Sequence, residues 1–179
     1  MASIFGHAFV SFALGKSFSK KQQTSKLLLL AIICAIIPDA DVIGFYFNVS
    51  YASFWGHRGF SHSFVFALLF SFLITFLFYK KQFLTKKGLI LFLFFFLCTA
   101  SHAVLDAMTT GGKGVALFSP FNTTRYFFWW RPIQVSPIGI AKFFGERGFK
   151  VIQSELIWIG IPGTIYMLIM LFLHKFNKV

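Results

Sequence analysis

Four apolar stretches, at roughly residues 27–47, 63–79, 88–108 and 151–173, set the terms for this chain. Each comes close to the ~20 residues a helix needs to cross the hydrocarbon of a bilayer, the second at the short end. With 57% hydrophobic residues and 28 Phe, the chain has too little polar surface to cover a soluble core. Inside hydrocarbon every backbone N–H and C=O needs a partner within the protein, so helices are expected. The alternation of an outer-membrane barrel is missing. A further apolar segment, residues 3–15, precedes a lysine cluster, the reverse of a signal peptide's basic-then-apolar order. It reads as a retained short helix, wholly or partly inserted. The expected fold is therefore all-α: an integral membrane helical bundle of about four transmembrane helices plus a short N-terminal membrane helix, one domain over 1–179.

The basic residues fall between these segments. Lys16, Lys20, Lys21 and Lys26 form one group, Lys80, Lys81, Lys86 and Lys87 another, and Lys175 and Lys178 close the chain. Such clusters flanking apolar runs act as topology signals, whereas a nucleic-acid binder carries basic and aromatic residues on a solvated face; nucleic acid is not an expected partner. If 16–26 lies inside, 48–62 lies outside, 80–87 inside, 109–150 outside and the tail inside. Ten Lys/Arg then lie on the first side against seven on the other, which favours a non-cytoplasmic position for 48–62 and 109–150. Cys34 and Cys98 sit in apolar runs without CxxC spacing and read as buried small hydrophobes, with disulfide pairing the alternative.

Only five acidic residues occur, and three of them lie in apolar segments near histidines. A carboxylate at membrane depth is costly unless its charge is compensated, so each marks a functional position with a partner to be found. The motifs are PDAD (Pro38, Asp39, Asp41), GHRGFSHS (His57, Arg58, His62, Ser63) and SHAVLDAMT (His102, Asp106). PDAD lies in the second half of its segment, GHRGFSHS just precedes the next, and SHAVLDAMT ends the third. The alternating topology brings all three to one end of the bundle, and His7 joins them if the N-terminal segment runs in the opposite sense. Asp and His together most naturally share a divalent cation.

Each motif has its own geometry. Asp39 and Asp41 would stand about 200° apart on a regular helix, but Pro38 removes a backbone donor and can break it so that both turn inward. The other reading of PDAD is a proline kink with Asp39 as a cap. His102 and Asp106, four residues apart, share a helix face and suit either joint chelation or a ligand with its supporting partner. His57 and His62 flank a glycine-containing turn whose Ser63 can cap the following helix, and Arg58 offers a fork for an anionic oxygen pair, whether of a phosphate or of a neighbouring carboxylate. The alternative for this loop is a snorkelling arginine among solvated histidines. Glu155 is a further ligand or general base, or a first-turn Glu favoured by a helix dipole. The long 109–150 connection brings glycines for close backbone approach and the group Arg125, Trp129, Trp130 and Arg131, suited to lipid headgroups.

Taken together, PDAD, GHRGFSHS, the HxxxD of a later helix, an early histidine and a GG…P stretch resemble the YdjM-like family of membrane-bound, metal-dependent hydrolases, whose typical bacterial member is described as LexA-regulated. The resemblance runs from His7 to about Glu155. That family in turn is distantly similar to the zinc-dependent phospholipase C class. The resemblance implies His7, Asp39, Asp41, His57, His62, His102, Asp106 and Glu155 as metal ligands, and a bacterial inner-membrane location. The activity expected is hydrolysis of a phosphoester in a lipid or other amphiphile through a metal-activated water. Two or three divalent ions are expected, zinc foremost, with manganese or iron as alternatives. Asp39, Asp106 or Glu155 would act as general base, with Arg58 holding the anionic oxygens. The rival reading is a divalent-metal transporter or metal sensor, for which polar groups should continue towards both membrane faces.

Overall fold

The computed structural model describes residues 1–176; Lys178, expected to close the last basic cluster, lies outside the described residues. The chain runs through α1 (Ile4–Gly15), α2 (Ser25–Ile36), a 3₁₀ segment (Ile37–Phe47), a single 3₁₀ turn (Phe60–His62), α3 (Phe64–Phe78) and α4 (Lys86–Ala107). It continues with α5 (Ile140–Phe143), α6 (Glu146–Glu155), a π segment (Leu156–Gly160) and α7 (Ile161–Phe176). No strand occurs among the described residues, only two isolated bridges within the 108–139 connection.

Hydroxyl side chains define where the first four α-helices begin. Ser3, Thr24, Ser63 and Thr85 accept from the backbone N–H of Gly6, Leu27, Phe66 and Gly88, at 3.2, 3.2, 3.0 and 3.3 Å. Each satisfies a donor that a helix start would otherwise leave open, which matters most near lipid. Ser63 thus caps α3 as its place in GHRGFSHS suggested.

Among the described residues, three helical stretches are long and apolar enough to cross a membrane: Ser25–Phe47, Lys86–Ala107 and Glu146–Phe176. The fourth expected crossing, 63–79, is shorter than anticipated. Residues 60–63 are taken up by the 3₁₀ turn and the cap, and Tyr79 leaves helical geometry, so α3 has 15 residues. At about 1.5 Å per residue that spans roughly 22 Å, less than the ~30 Å hydrocarbon thickness. Its outward side chains, among them Leu69, Phe72 and Leu77, nevertheless remain exposed and apolar, as lipid contact requires.

The helices converge on α4. It packs against α1, α2 and α3, while α7 leans on α1. One half of the bundle is a continuous apolar core of Leu27, Leu30, Ala31, Cys34, Ile74, Leu91, Phe94, Phe95 and Cys98. Both cysteines are free and buried there, in the small-hydrophobe role expected of them. Ser71, Thr75 and Thr99 turn their hydroxyls back onto carbonyls of their own helices, which lets them lie buried at little cost. The other half of the bundle is polar inside, and there the connection after α4 folds back: Phe64 N–H donates to Leu117 O and Ala116 N–H to Arg58 O, both at 3.0 Å.

The apolar half gives a first prediction. Phe95 is fully buried and Leu97 is half exposed on the same helix. Phe95→Ala should lower unfolding stability in detergent by about 3–5 kcal/mol, with Leu97→Ala near wild type, as read from denaturation midpoints.

Candidate metal centre

Pro38 decides how PDAD is presented. The α-helix tightens to 3₁₀ at Ile37, with Pro38 in its first positions where a missing N–H costs nothing. At three residues per turn, Asp39 and Asp41 then point about 120° apart. They turn inward as expected, but to different places.

Asp39 faces the first group. Its Oδ1 lies 3.3 Å from His102 Nε2 and 3.5 Å from His62 Nε2. The two imidazole nitrogens are 3.0 Å apart, and His62 Nε2 is 3.6 Å from Asp106 Oδ2. Asp39, His62, His102 and Asp106 form a group that could hold a metal ion. At metal–nitrogen bonds of about 2.0–2.1 Å, a tetrahedral site has ligand–ligand edges of about 3.3 Å, the middle of the observed range. His102 Nδ1 is 2.6 Å from Ala35 O, an acceptor only, so that nitrogen carries the proton and Nε2 presents its lone pair. Asp39 Oδ1 and Asp106 Oδ2 are buried without a hydrogen-bond partner. Lone pairs brought this close and left unsatisfied fit a cation.

Asp41 faces a second group, with His57 and His62, which could also hold an ion. Here, unlike Asp39 Oδ1 and Asp106 Oδ2, both carboxylate oxygens already have hydrogen-bond partners. Asp41 Oδ1 is 2.7 Å from His57 Nδ1, and Asp41 Oδ2 is 3.1 Å from His62 Nδ1. Ser61 Oγ donates to Asp41 Oδ2 at 2.7 Å, and Arg58 N–H donates to the same oxygen at 3.1 Å. His62 therefore serves both groups, Nδ1 towards Asp41 and Nε2 towards the four-donor pocket, the arrangement by which a carboxylate orients a metal-binding imidazole. Burial opposes a charge on the His62 ring, yet the carboxylates gathered round it, Asp39, Asp41 and Asp106, outweigh it and raise its pKa to about 9. A field that attracts a proton so strongly attracts a metal cation for the same reason.

Of the two anions open to Arg58, a phosphate or a neighbouring carboxylate, it is the carboxylate that it meets. Its side chain is fully buried, Nε lies 3.0 Å from Asp106 Oδ2, and Nη1 and Nη2 donate to Gly111 O and Thr109 Oγ1 at 2.9 and 3.0 Å. The Nε contact is close but off-line, since neither atom meets hydrogen-bond geometry; it acts as a charge contact. The guanidinium thus holds Asp106 and is not turned to an incoming anion. Arg58 adopts φ 62°, a left-handed conformation costly for a side chain of its size. Gly112, at φ 97°, makes room for it: a Cβ there would come within 2.5 Å of Arg58 Nη1. This is the close approach that the glycines of TTGGKG suggested.

Asp106 also accepts the Ala2 N–H at 2.7 Å through Oδ1, with His7 Nε2 3.4 Å from that oxygen. The Met1 amino group lies at the edge, 3.9 Å from Oδ2. His7 joins the centre as expected, stacked on His102 with centroids 3.7 Å apart and both ring nitrogens lacking hydrogen-bond partners. Glu155 does not join it. Its carboxylate accepts from Ser3 N and Ser3 Oγ and so ties α6 to the start of α1. Arg125 is likewise drawn inward: it donates to His57 O and Tyr51 O, each at 2.8 Å, bracing the 51–57 loop instead of facing headgroups. Trp129 does stand exposed, as an interfacial residue would.

Three participants went unnamed in the motifs. Ser61 bonds Asp41 and lies 2.9 Å from His62 Nδ1; Thr109 bonds both Arg58 and the Asp106 carbonyl; Ala35 O fixes His102. Ser61 lies inside GHRGFSHS and Thr109 three residues beyond Asp106, so proximity was the available signal. Nothing marked Ala35. A cleft of about 300 Å³ lined by Asp41, Trp55, Phe60, Ser61 and Phe66 reaches this side of the centre.

Fold and site together define an all-helical membrane protein with a buried His/Asp centre that could hold a metal ion. The chain belongs to the YdjM family, described as YdjM inner membrane protein, which it matches over residues 1–177. It is 39% identical over 168 residues to Inner membrane protein YbcI of Escherichia coli (strain K12), covering 93% of this chain and 95% of that relative. No solved structure matches it. An integral inner-membrane location follows from this kinship and from the apolar helices.

Breaking a buried charge pair strands the partner's charge. Arg58→Ala should destabilise the protein by about 3–5 kcal/mol, and Gly112→Ala should also destabilise it by displacing the same side chain; thermal unfolding in detergent reads both.

Proposed function

We propose that this protein is a membrane-bound metal-dependent hydrolase acting on a phosphoester in a lipid or other amphiphile, with its ion held by Asp39, His62, His102 and Asp106. The observation that carries this reading is the set of 3.0–3.6 Å spacings among these four donors. Two histidines and two carboxylates suit zinc, with manganese or iron as alternatives. Three carboxylates, Asp39, Asp41 and Asp106, lie within the two groups, and the one buried guanidinium reaches only Asp106, so Asp39 keeps no fixed cationic partner and is open to a divalent ion. A single ion in the four-donor group is favoured over two or three, because the Asp41 group is already joined by its own hydrogen bonds.

A bound divalent ion would acidify a water for attack at phosphorus and polarise the ester oxygen. The remaining work falls to the chain. Asp41 and Ala35 O keep His62 and His102 with their Nε2 atoms turned inward, while Arg58, Thr109 and Ala2 N–H hold Asp106 in register. Asp39, with 14% side-chain exposure, is the most open of the four donors and is the general base favoured here. Trp55, Phe60 and Phe66 give the adjoining cleft an apolar wall against which a lipid's hydrocarbon can lie while water is kept back. Glu155, bound to Ser3, is left out of the reaction. The site is assigned to the non-cytoplasmic face on the lysine distribution.

A transporter or sensor is less well supported. A carrier needs polar groups leading away from its midpoint in both directions, but beyond the centre lies the apolar cluster from Leu27 to Cys98.

Elemental analysis of purified protein should find one divalent ion per chain. His102→Ala and Asp106→Ala should lose it, and Glu155→Gln should keep it. Chelation should abolish hydrolysis across a phospholipid and phosphoester panel, and zinc should restore it. Full activity in the metal-free protein, or ion uptake into vesicles with no ester turnover, would reject the hydrolase.

A further inference from the structure

An open groove of about 840 Å³ runs between α1 and the long helix formed by α6, the π segment and α7. Phe5, Phe9, Phe144, Leu156, Ile161 and Ile165 form most of its wall, and among the described residues Glu155 is the one ionisable group lining it. Both Glu155 oxygens are engaged by Ser3, so the groove offers an apolar surface with its only charge already satisfied. The π segment Leu156–Gly160 lies along the middle of this wall. Such wide turns are rare and occur mostly where a helix surface has been adapted to a function. Gly6 lets α1 approach, since a Cβ there would meet Glu155 and Ile159 at 3.1 Å, whereas Gly160 leaves its part of the wall open.

What fills the groove is indicated by where it lies. The helix Glu146–Phe176 is long and apolar enough to span the bilayer, and only 6% of its most apolar window is buried within the protein. The groove therefore opens sideways onto hydrocarbon. Its volume falls in the range of small-molecule sites. At one end, in the sequence around the lining residues Phe143 and Phe144, Lys142, Arg147 and Lys150 are exposed, and Glu146 is the one acid between residues 140 and 150. Exposed Phe144 and Phe149 at the same end are suited to the depth where chains meet headgroups.

We propose that this groove binds the acyl chains of an anionic glycerophospholipid, whose headgroup phosphate is held by Lys142, Arg147 and Lys150. Apolar area selects the chains, and the cationic end selects the charge. The inference stands on the membrane placement and the groove itself, independently of the hydrolase reading.

The test uses full-length protein reconstituted in vesicles of equimolar phosphatidylglycerol and phosphatidylcholine, then released for native mass spectrometry. Wild type should retain one phospholipid, with phosphatidylglycerol preferred several-fold. Ile161→Trp and Thr164→Trp, which fill the groove from exposed positions, should each cut retention at least tenfold. Arg147→Glu with Lys150→Glu should abolish the headgroup preference while retaining a lipid. Metal content, measured in parallel, should be unchanged in all variants. Absence of retained lipid in wild type, retention unaltered by both tryptophans, or a dimer that the tryptophans dissociate would overturn the proposal, the last in favour of a second copy of this chain. A headgroup preference unaffected by the charge reversal would overturn the assigned phosphate contact.

Discussion

Bringing carboxylates into a membrane protein is tolerable only where positive charge and hydrogen-bond donors meet them. Asp106 is the point at which this requirement is most severe: it is fully buried, at the end of a membrane-spanning helix. Arg58, the Ala2 N–H and His7 approach it from the loop before α3 and from the N-terminal segment. Ala2 and His7 meet one of its oxygens, and the other, in charge contact with Arg58, also faces His62. Much of the bundle's polar half can be understood as the set of chain segments needed to satisfy one aspartate while leaving it a face for a cation.

That arrangement explains why a short, irregular region links α2 to α3. A regular helix through 37–47 would place Asp39 and Asp41 on nearly opposite sides. The 3₁₀ geometry begun at Pro38 sends one to the four-donor pocket and the other behind His62. His62 is then gripped from both ends of its ring. Two aspartates two residues apart thus take distinct parts, one facing the pocket and one aligning the imidazole that faces it.

The helical membrane architecture was legible from segment lengths, and the meeting of PDAD, His62, His102 and Asp106 from alternating topology. Ser63 as a cap and the break at Pro38 followed from local chemistry. The length of α3 was overread because hydropathy does not register that Phe60–His62 form a separate turn. The inward role of Arg125 and the choice of Asp106 as the anion for Arg58 are not legible, because a sequence shows a charge but not the acceptors it reaches; those lie 51 to 74 positions away. Glu155 was ambiguous for a similar reason. Its partner Ser3 is 152 positions distant, and a single sequence carries no signal for such a pairing.

The backbone bonds from Phe64 to Leu117 and from Ala116 to Arg58 join segments made far apart in time during synthesis. Before the residues from Thr109 to Leu117 are made, the left-handed Arg58 lacks its Thr109, Gly111 and Ala116 partners and Phe64 lacks its bond to Leu117. The half-made chain leaving the translocon therefore has its acids and imidazoles but not the frame that aligns them. A chain cut before Thr109 would therefore lack every partner that holds the Arg58 guanidinium except Asp106.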